Sequence, residues 1–128
     1  MNFQRLKVHS ADNIGSGTKP ELIKKLEETW NITLPKEFRG FMMEIGYAEI
    51  YGDEIYSIYD IPDKIPCKGL HWMNKNNKEL SKGYFEFFSN DIDGRFYLNN
   101  KTGKIYQNST ENEFADSFSK FIDKLLNE

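Results

Sequence analysis

Apolar residues recur at helical spacing in two stretches of the N-terminal half. Each stretch places four apolar residues on one face: Leu22, Ile23, Leu26 and Trp30 in the first, and Phe38, Phe41, Met42 and Ile45 in the second. Thr18 and Glu21 have the spacing of a capping box, and Pro20 lies in the first turn. Pro35 and Gly46 bracket the second stretch, as start and stop signals do. The pattern therefore predicts two consecutive helices, the first opening at Thr18.

Strand-favouring residues fill two later parts of the chain. Residues 47–61 are rich in Tyr and Ile, and Gly52-Asp53 interrupts them, which is typical of a hairpin turn or a bulge. Three further runs at 84–88, 95–98 and 104–107 are separated by polar turns. Their spacing predicts an antiparallel meander.

A last helix is predicted near the C-terminus. Thr110 and Glu113 again have capping-box spacing. Apolar residues then step by four, three and four positions along one face: Phe114, Phe118, Phe121 and Leu125. Helices followed by strands and one more helix indicate an α+β fold, with helices packed against a mainly antiparallel β-sheet.

Two stretches carry little pattern. Residues 1–17 are expected to form a loosely structured N-terminal segment, in which Gly15-Ser16-Gly17 acts as a flexible joint. Residues 63–82 are expected to form a loop with one short helix anchored by Trp72, Met73 and Leu80. Neither stretch resembles an interdomain linker, so residues 1–128 are interpreted as a single domain.

Composition narrows the class of protein. A single cysteine excludes an intrachain disulfide, which fits a reducing compartment. Twenty acidic residues exceed 17 basic ones, whereas proteins that bind nucleic acid usually show the opposite balance. No stretch has the length of a signal peptide core or a membrane span. We therefore expect a cytoplasmic protein that contacts neither nucleic acid nor membrane directly.

The sequence offers weak candidates for catalysis or metal binding. Cys67 precedes His71 by four residues, but catalytic Cys and His usually meet through the fold and not through short spacing. Asp91 and Gly94 resemble the start of a calcium loop, yet Phe96 and Thr102 stand where that loop requires Gly and Glu. The sequence therefore predicts no catalytic residue, no metal ligand and no cofactor.

The distribution of charge along the chain is most uneven at residues 47–60, an acidic, tyrosine-rich block. It contains four carboxylates and no base, and a basic loop at 61–82 follows it. Two interpretations are open: the tyrosines pack a sheet whose wet face is acidic, or the block meets a basic partner through rings and charges. The second interpretation assigns partner binding to Tyr47, Glu49, Tyr51, Asp53 and Glu54.

Four motifs in order carry a family resemblance. They are Trp30-x3-Leu34-Pro35-x2-Phe38-x2-Phe41-Met42 closing with Gly46, Phe87-Phe88-Ser89-Asn90-Asp91-x2-Gly94-x2-Tyr97-Leu98, Thr102-Gly103-Lys104-Ile105-Tyr106, and Phe114-Ala115-Asp116-Ser117-Phe118-x2-Phe121-Ile122-x2-Leu125-Leu126. Together these motifs resemble SMI1/KNR4 domains of the SUKH superfamily over about residues 18–127.

The resemblance implies both a fold and a function. It implies helices against a mainly antiparallel sheet, and for bacterial members an immunity protein without catalytic activity. Such a protein binds and neutralises a cognate polymorphic toxin, commonly a nuclease. Eukaryotic members suggest an alternative, an intracellular regulatory or scaffold module. No toxin-contacting residue is implied, because the family diversifies these contacts.

Overall fold

The computed structural model describes residues 3–58 and 69–127. The helices are α1 Gln4–Ser10, α2 Pro20–Trp30, α3 Lys36–Glu44, α4 Leu70–Met73 and α5 Phe118–Leu126. The strands are β1 Ala48–Ile50, β2 Asp53–Ile55, β3 Tyr84–Asn90, β4 Gly94–Asn99, β5 Ile105–Gln107 and β6 Glu113–Ala115. This arrangement confirms the predicted α+β class.

The strands form a hairpin and a meander that lie side by side. Strands β3, β4, β5 and β6 pair antiparallel in chain order, which confirms the predicted meander. Strands β1 and β2 form the hairpin predicted around Gly52. Directly after β2, the Tyr56 N–H donates to the Phe87 carbonyl on β3 at 2.9 Å. The hairpin is thereby attached to the free edge of the meander.

Phenylalanine fills the core between the meander and the helices. The side chains that alternate inward from the strands include Phe85, Phe87, Phe88 and Phe96, all without solvent exposure. Phe38 of α3 meets Phe118 of α5 edge-on, with ring centroids 5.4 Å apart. Edge-to-face pairs of this kind add to the gain from burying the rings. The apolar stripes read from the sequence therefore face the sheet, as expected.

The C-terminal helix begins later than predicted. Residues Glu113–Ala115 form β6, and Ile105 of β5 pairs with Ala115. The cap is Ser117, whose Oγ accepts from the Lys120 N–H at 3.2 Å. The predicted Thr110–Glu113 capping box is wrong because β5 offers this segment a ladder of backbone hydrogen bonds. A local sequence pattern does not register such a distant partner.

The first long helix also lacks its predicted cap. Helix α2 begins at Pro20, with Lys19 at the N-cap position. The Thr18 N–H instead donates to the Met42 carbonyl on α3 at 2.7 Å. Thr18 thus ties the start of α2 to the neighbouring helix, and the capping-box interpretation is wrong here as well.

Residues 3–17, the described part of the N-terminal segment, are ordered, contrary to the expectation of a loosely structured segment. Helix α1 buries Leu6, and Phe3 before it is also buried, so the segment contributes to the core. The glycine pair is not a joint: Gly15 and Gly17 donate to the carbonyls of Tyr47 and Ile45 at 2.8 and 2.9 Å. A Cβ on Gly15 would lie 2.5 Å from the Ile45 oxygen. Glycine is required because two backbones pass in contact.

The loop before the meander is described in part. Helix α4 contains Trp72 and Met73, as expected, but Leu80 lies outside it and begins a separate 3-10 turn, Leu80–Lys82. Several residues of the acidic block and the basic loop, including Tyr59, Asp60 and Cys67, lie outside the described residues.

Candidate protein-interaction surface

The tip of the β1–β2 hairpin is a tight two-residue turn. Ile50 pairs with Asp53 across it, and the intervening Tyr51 and Gly52 have φ angles of 51° and 86°. Positive φ at both central residues is the signature of a type I′ turn, which matches the twist of the flanking strands. Glycine takes this geometry without strain, whereas Tyr51 is unusual there.

Helix α1 holds this turn in place. The Tyr51 N–H donates to Nε2 of His9 at 3.0 Å, and the two rings meet edge-on at 4.6 Å. Ser10 donates from Oγ to the Glu49 carbonyl at 2.8 Å. Tyr51 remains 61% exposed despite these contacts. The N-terminal segment therefore presents a large aromatic ring to solvent at the end of the hairpin.

Strand alternation gives the hairpin an acidic outer face. Ala48, Ile50 and Ile55 point into the core, so Glu49 and Glu54 point outward as a directly opposed cross-strand pair. Like charges directly opposite each other are unfavourable, with Cβ atoms about 5 Å apart. Both side chains are half-buried, and Oε1 of Glu54 is shielded from solvent.

The five residues assigned to partner binding are brought close together. Tyr47 donates from its hydroxyl to Oε2 of Glu49 at 2.5 Å, beside Glu54. Asp53 borders the turn and pairs with Ile50, so it lies on the other face of the hairpin from Glu49 and Glu54. Tyr51 is exposed, and the other four residues are half-buried. We name this set, Tyr47, Glu49, Tyr51, Asp53 and Glu54, the acidic hairpin. The structure shows their proximity, and their role in binding stays a prediction.

Tyr56 belongs to the same acidic block but has a structural role, since it is buried between the hairpin and β3. Its side chain is fully buried, and its hydroxyl donates to Oε2 of Glu86 at 2.5 Å and lies 2.8 Å from Ser89 Oγ. Burial, followed by the hydrogen bond to Glu86, raises the pKa of Tyr56 above its usual range. The hydroxyl therefore remains protonated and ties the hairpin to β3.

Glu86 is a buried carboxylate that this contact helps to satisfy. It is 4% exposed, and its Oε1 lies 3.8 Å from the guanidinium of Arg95. Its backbone is held by Asn74, which accepts from the Glu86 N–H at 2.7 Å and donates to the Glu86 carbonyl at 2.8 Å. Buried polar groups are costly unless paired in this way. The sequence pattern did not indicate this network, because Asn74 and Tyr56 lie 12 and 30 residues from Glu86 along the chain.

A row of tyrosines on the outer face of the meander was also missed. Tyr97 of β4 pairs with Glu86 on one side and Tyr106 of β5 on the other. The rings of Tyr84 and Tyr106 meet edge-on with centroids 5.4 Å apart, above the intervening β4. We name Tyr84, Tyr97 and Tyr106 the tyrosine row; all three are half-buried. The inward-outward alternation of residues 95–98 was the signal that could have found it.

The candidates for catalysis and metal binding gain no support from the described geometry. The His71 ring stacks on Trp30 with centroids 6.4 Å apart, and Cys67 lies outside the described residues. Asn90 accepts from the backbone N–H groups of Ile92 and Asp93, as a polar turn between strands does. Within residues 3–58 and 69–127, no three His, Cys, Asp or Glu side chains group together as metal ligands would.

Among the described residues, none of the helices has the length and apolar content needed to traverse a bilayer.

Comparison with known protein families identifies a match over most of the chain. The SMI1 / KNR4 family (SUKH-1) matches residues 17–124. The match spans α2 through most of α5 and includes the acidic hairpin and the tyrosine row. No curated protein matches the chain.

Proposed function

The chain belongs to the SMI1/KNR4 (SUKH-1) family, a family of immunity proteins for polymorphic toxins, and we propose that it binds and neutralises one cognate bacterial toxin. Members of this family are generally non-catalytic. Neutralisation would therefore come from occupying the active site or the substrate surface of the toxin. Family membership is the observation that carries the proposal.

The acidic hairpin is the contact surface that we propose. Its tip presents an exposed tyrosine, and Glu49 and Glu54 face each other across the two strands. Tyrosine is enriched where binding energy concentrates, and complementary charge accelerates association. A nuclease toxin must attract nucleic acid and is often basic, so an acidic inhibitor surface suits this class of toxin.

The test takes as partner any toxin domain that a neighbouring gene is found to encode, carrying an inactivating substitution. The triple variant Glu49→Gln, Asp53→Asn and Glu54→Gln removes three charges and preserves side-chain shape. Association is followed at about 10 mM ionic strength, where charges act over about 30 Å. We expect the on-rate to fall about tenfold, and the salt dependence of the on-rate to flatten.

A matched control separates local from global charge. The triple variant Glu21→Gln, Glu28→Gln and Glu111→Gln removes the same charge from exposed positions elsewhere, and we expect a much smaller effect. Equal on-rates for the two triple variants would overturn the assignment of the acidic hairpin. A toxin domain that fails to bind the unmodified chain, and that remains toxic in its presence, would overturn the proposed function itself.

A further inference from the structure

The acidic hairpin and the tyrosine row share one face of the molecule. Glu54 and Tyr56 are two residues apart along the same extended segment, so both point to the outer side. The Tyr56 hydroxyl reaches Glu86, which lies on the outer face of β3 beside Tyr97. The outer faces of the hairpin and the meander therefore meet at the buried Tyr56–Glu86 contact, with the tyrosine row on the meander side of that contact.

The net charge on this face differs between the meander and the hairpin. In the described part of the meander the outer face carries two bases, and each lies close to a carboxylate. Arg95 is 3.8 Å from Glu86, and Lys104 is 3.5 Å from Glu113. The meander is thus balanced, whereas the adjoining hairpin is acidic. A cationic partner would meet attraction at one end and no unbalanced positive charge at the other.

Tyrosine rings suit the same kind of partner. The face of an aromatic ring attracts ammonium and guanidinium groups, and tyrosine combines apolar contact area with a polar tip. Partial burial, followed by the neighbouring Tyr84 and Glu113, raises the pKa of Tyr106, so its hydroxyl keeps its proton. The row thus offers rings and neutral hydroxyl groups next to the carboxylates.

We propose that the tyrosine row is a second contact region for the toxin and takes a segment of it that carries arginine or lysine. This inference rests on the proposed function and extends its surface from the hairpin across the meander. A protein partner with a basic segment fits better than a second copy of this chain, because two copies would oppose their acidic hairpins. It also fits better than nucleic acid, whose phosphates would meet the same carboxylates.

The first test removes the rings and keeps the strands. Tyr97→Thr and Tyr106→Thr place a strand-favouring residue on the outer face. Binding to the same inactivated toxin domain is measured by calorimetry. We expect each variant to weaken binding about tenfold, the usual cost at a central contact. The control is Met43→Thr on α3, an apolar residue 46% exposed on the helical layer, which should leave affinity unchanged.

The second test determines the sign of the charge on the partner segment. Tyr97→Lys and Tyr97→Glu perturb packing similarly but change charge in opposite directions. We expect slower association for the Lys variant than for the Glu variant at low salt, with the difference vanishing at high salt. The same pair of substitutions at Met43 should give a much smaller difference.

The outcomes distinguish this inference from the proposed function. Unchanged affinity in both Thr variants, with the hairpin variants still impaired, would overturn the tyrosine row alone. Faster association of the Lys variant would overturn the basic character of the partner segment. Concentration-dependent dimerisation that Tyr97→Thr abolishes would show a second copy on this face and would also refute the inference.

Discussion

The buried hydroxyl of Tyr56 provides the sharpest test of how the acidic hairpin is held. Tyr56→Phe removes one oxygen atom and leaves the ring in place. Glu86 then loses the donor at 2.5 Å, and the guanidinium of Arg95, at 3.8 Å, is its ion-pair partner among the described residues. Because Glu86 is 4% exposed, water can replace the lost donor only poorly.

The expected cost follows from the charge on the acceptor. Hydrogen bonds to charged groups contribute about 1.5–3 kcal/mol, and an unsatisfied buried partner adds its desolvation. We therefore expect Tyr56→Phe to lower the free energy of unfolding by about 2–3 kcal/mol. For a domain of this size the midpoint of thermal unfolding should fall by roughly 8–12 °C.

The same contact has a predicted pH dependence. Burial raises the pKa of Tyr56 in the folded protein above its unfolded value of about 10, so the folded state keeps a proton that the unfolded state releases. Its stabilisation is complete below about pH 10 and is lost as the pH rises toward the folded value, by up to about 1.4 kcal/mol per pH unit. The stability difference between the unmodified chain and Tyr56→Phe should therefore shrink above pH 10.

Urea unfolding at pH 7 and pH 10.5 measures both effects. Tyr106→Phe is the control, since that half-buried side chain lies on the same sheet, and we expect it to change stability by less than about 0.5 kcal/mol. A Tyr56→Phe variant as stable as the control at pH 7 would refute the reasoning. So would a stability difference that grows with pH.

Two further predictions concern the backbone. Gly15→Ala should destabilise the fold by about 1–3 kcal/mol, because its Cβ would lie 2.5 Å from the Ile45 oxygen, whereas Gly40→Ala in α3, where a Cβ meets nothing within 4 Å, should stabilise by about 0.5–1 kcal/mol. Urea unfolding of the two variants tests this. A Gly15→Ala variant as stable as Gly40→Ala would contradict the close approach of Gly15 to the Ile45 carbonyl. Ser117→Ala should cost about 1 kcal/mol and Thr110→Ala less than about 0.5 kcal/mol, since Ser117 caps α5. The reverse order in thermal unfolding would restore the capping box at Thr110.

Much of the fold could be predicted because its signals are local. The stripe on α3 and the alternation in β4 place Phe38 and Phe96 in the core, and both are fully buried. The hairpin turn at Gly52 is likewise encoded within a few residues. The five residues of the acidic hairpin are close in sequence, so their proximity also followed from the pattern.

The rest depended on partners distant along the chain. The N-terminal segment looked loose because its contacts lie elsewhere: Ser10 binds the Glu49 carbonyl, 39 residues away, and His9 binds Tyr51. The local pattern of residues 113–115 favours a helix, but in the fold these residues pair with β5 as a strand. In each case a hydrogen-bonded partner outweighed a weak local preference.

The sequence by itself determined the types of most elements and which faces are apolar, because periodicity is a property of consecutive residues. Only the tertiary structure decided that phenylalanine side chains are buried while most tyrosine side chains remain partly exposed. Nearly all the described phenylalanines are buried, whereas Tyr56 is the buried exception among the described tyrosines. A tyrosine hydroxyl needs a partner when buried, and only the fold provides Glu86 and Ser89 for Tyr56. The other described tyrosines remain at least partly exposed, on the hairpin and the outer face of the meander.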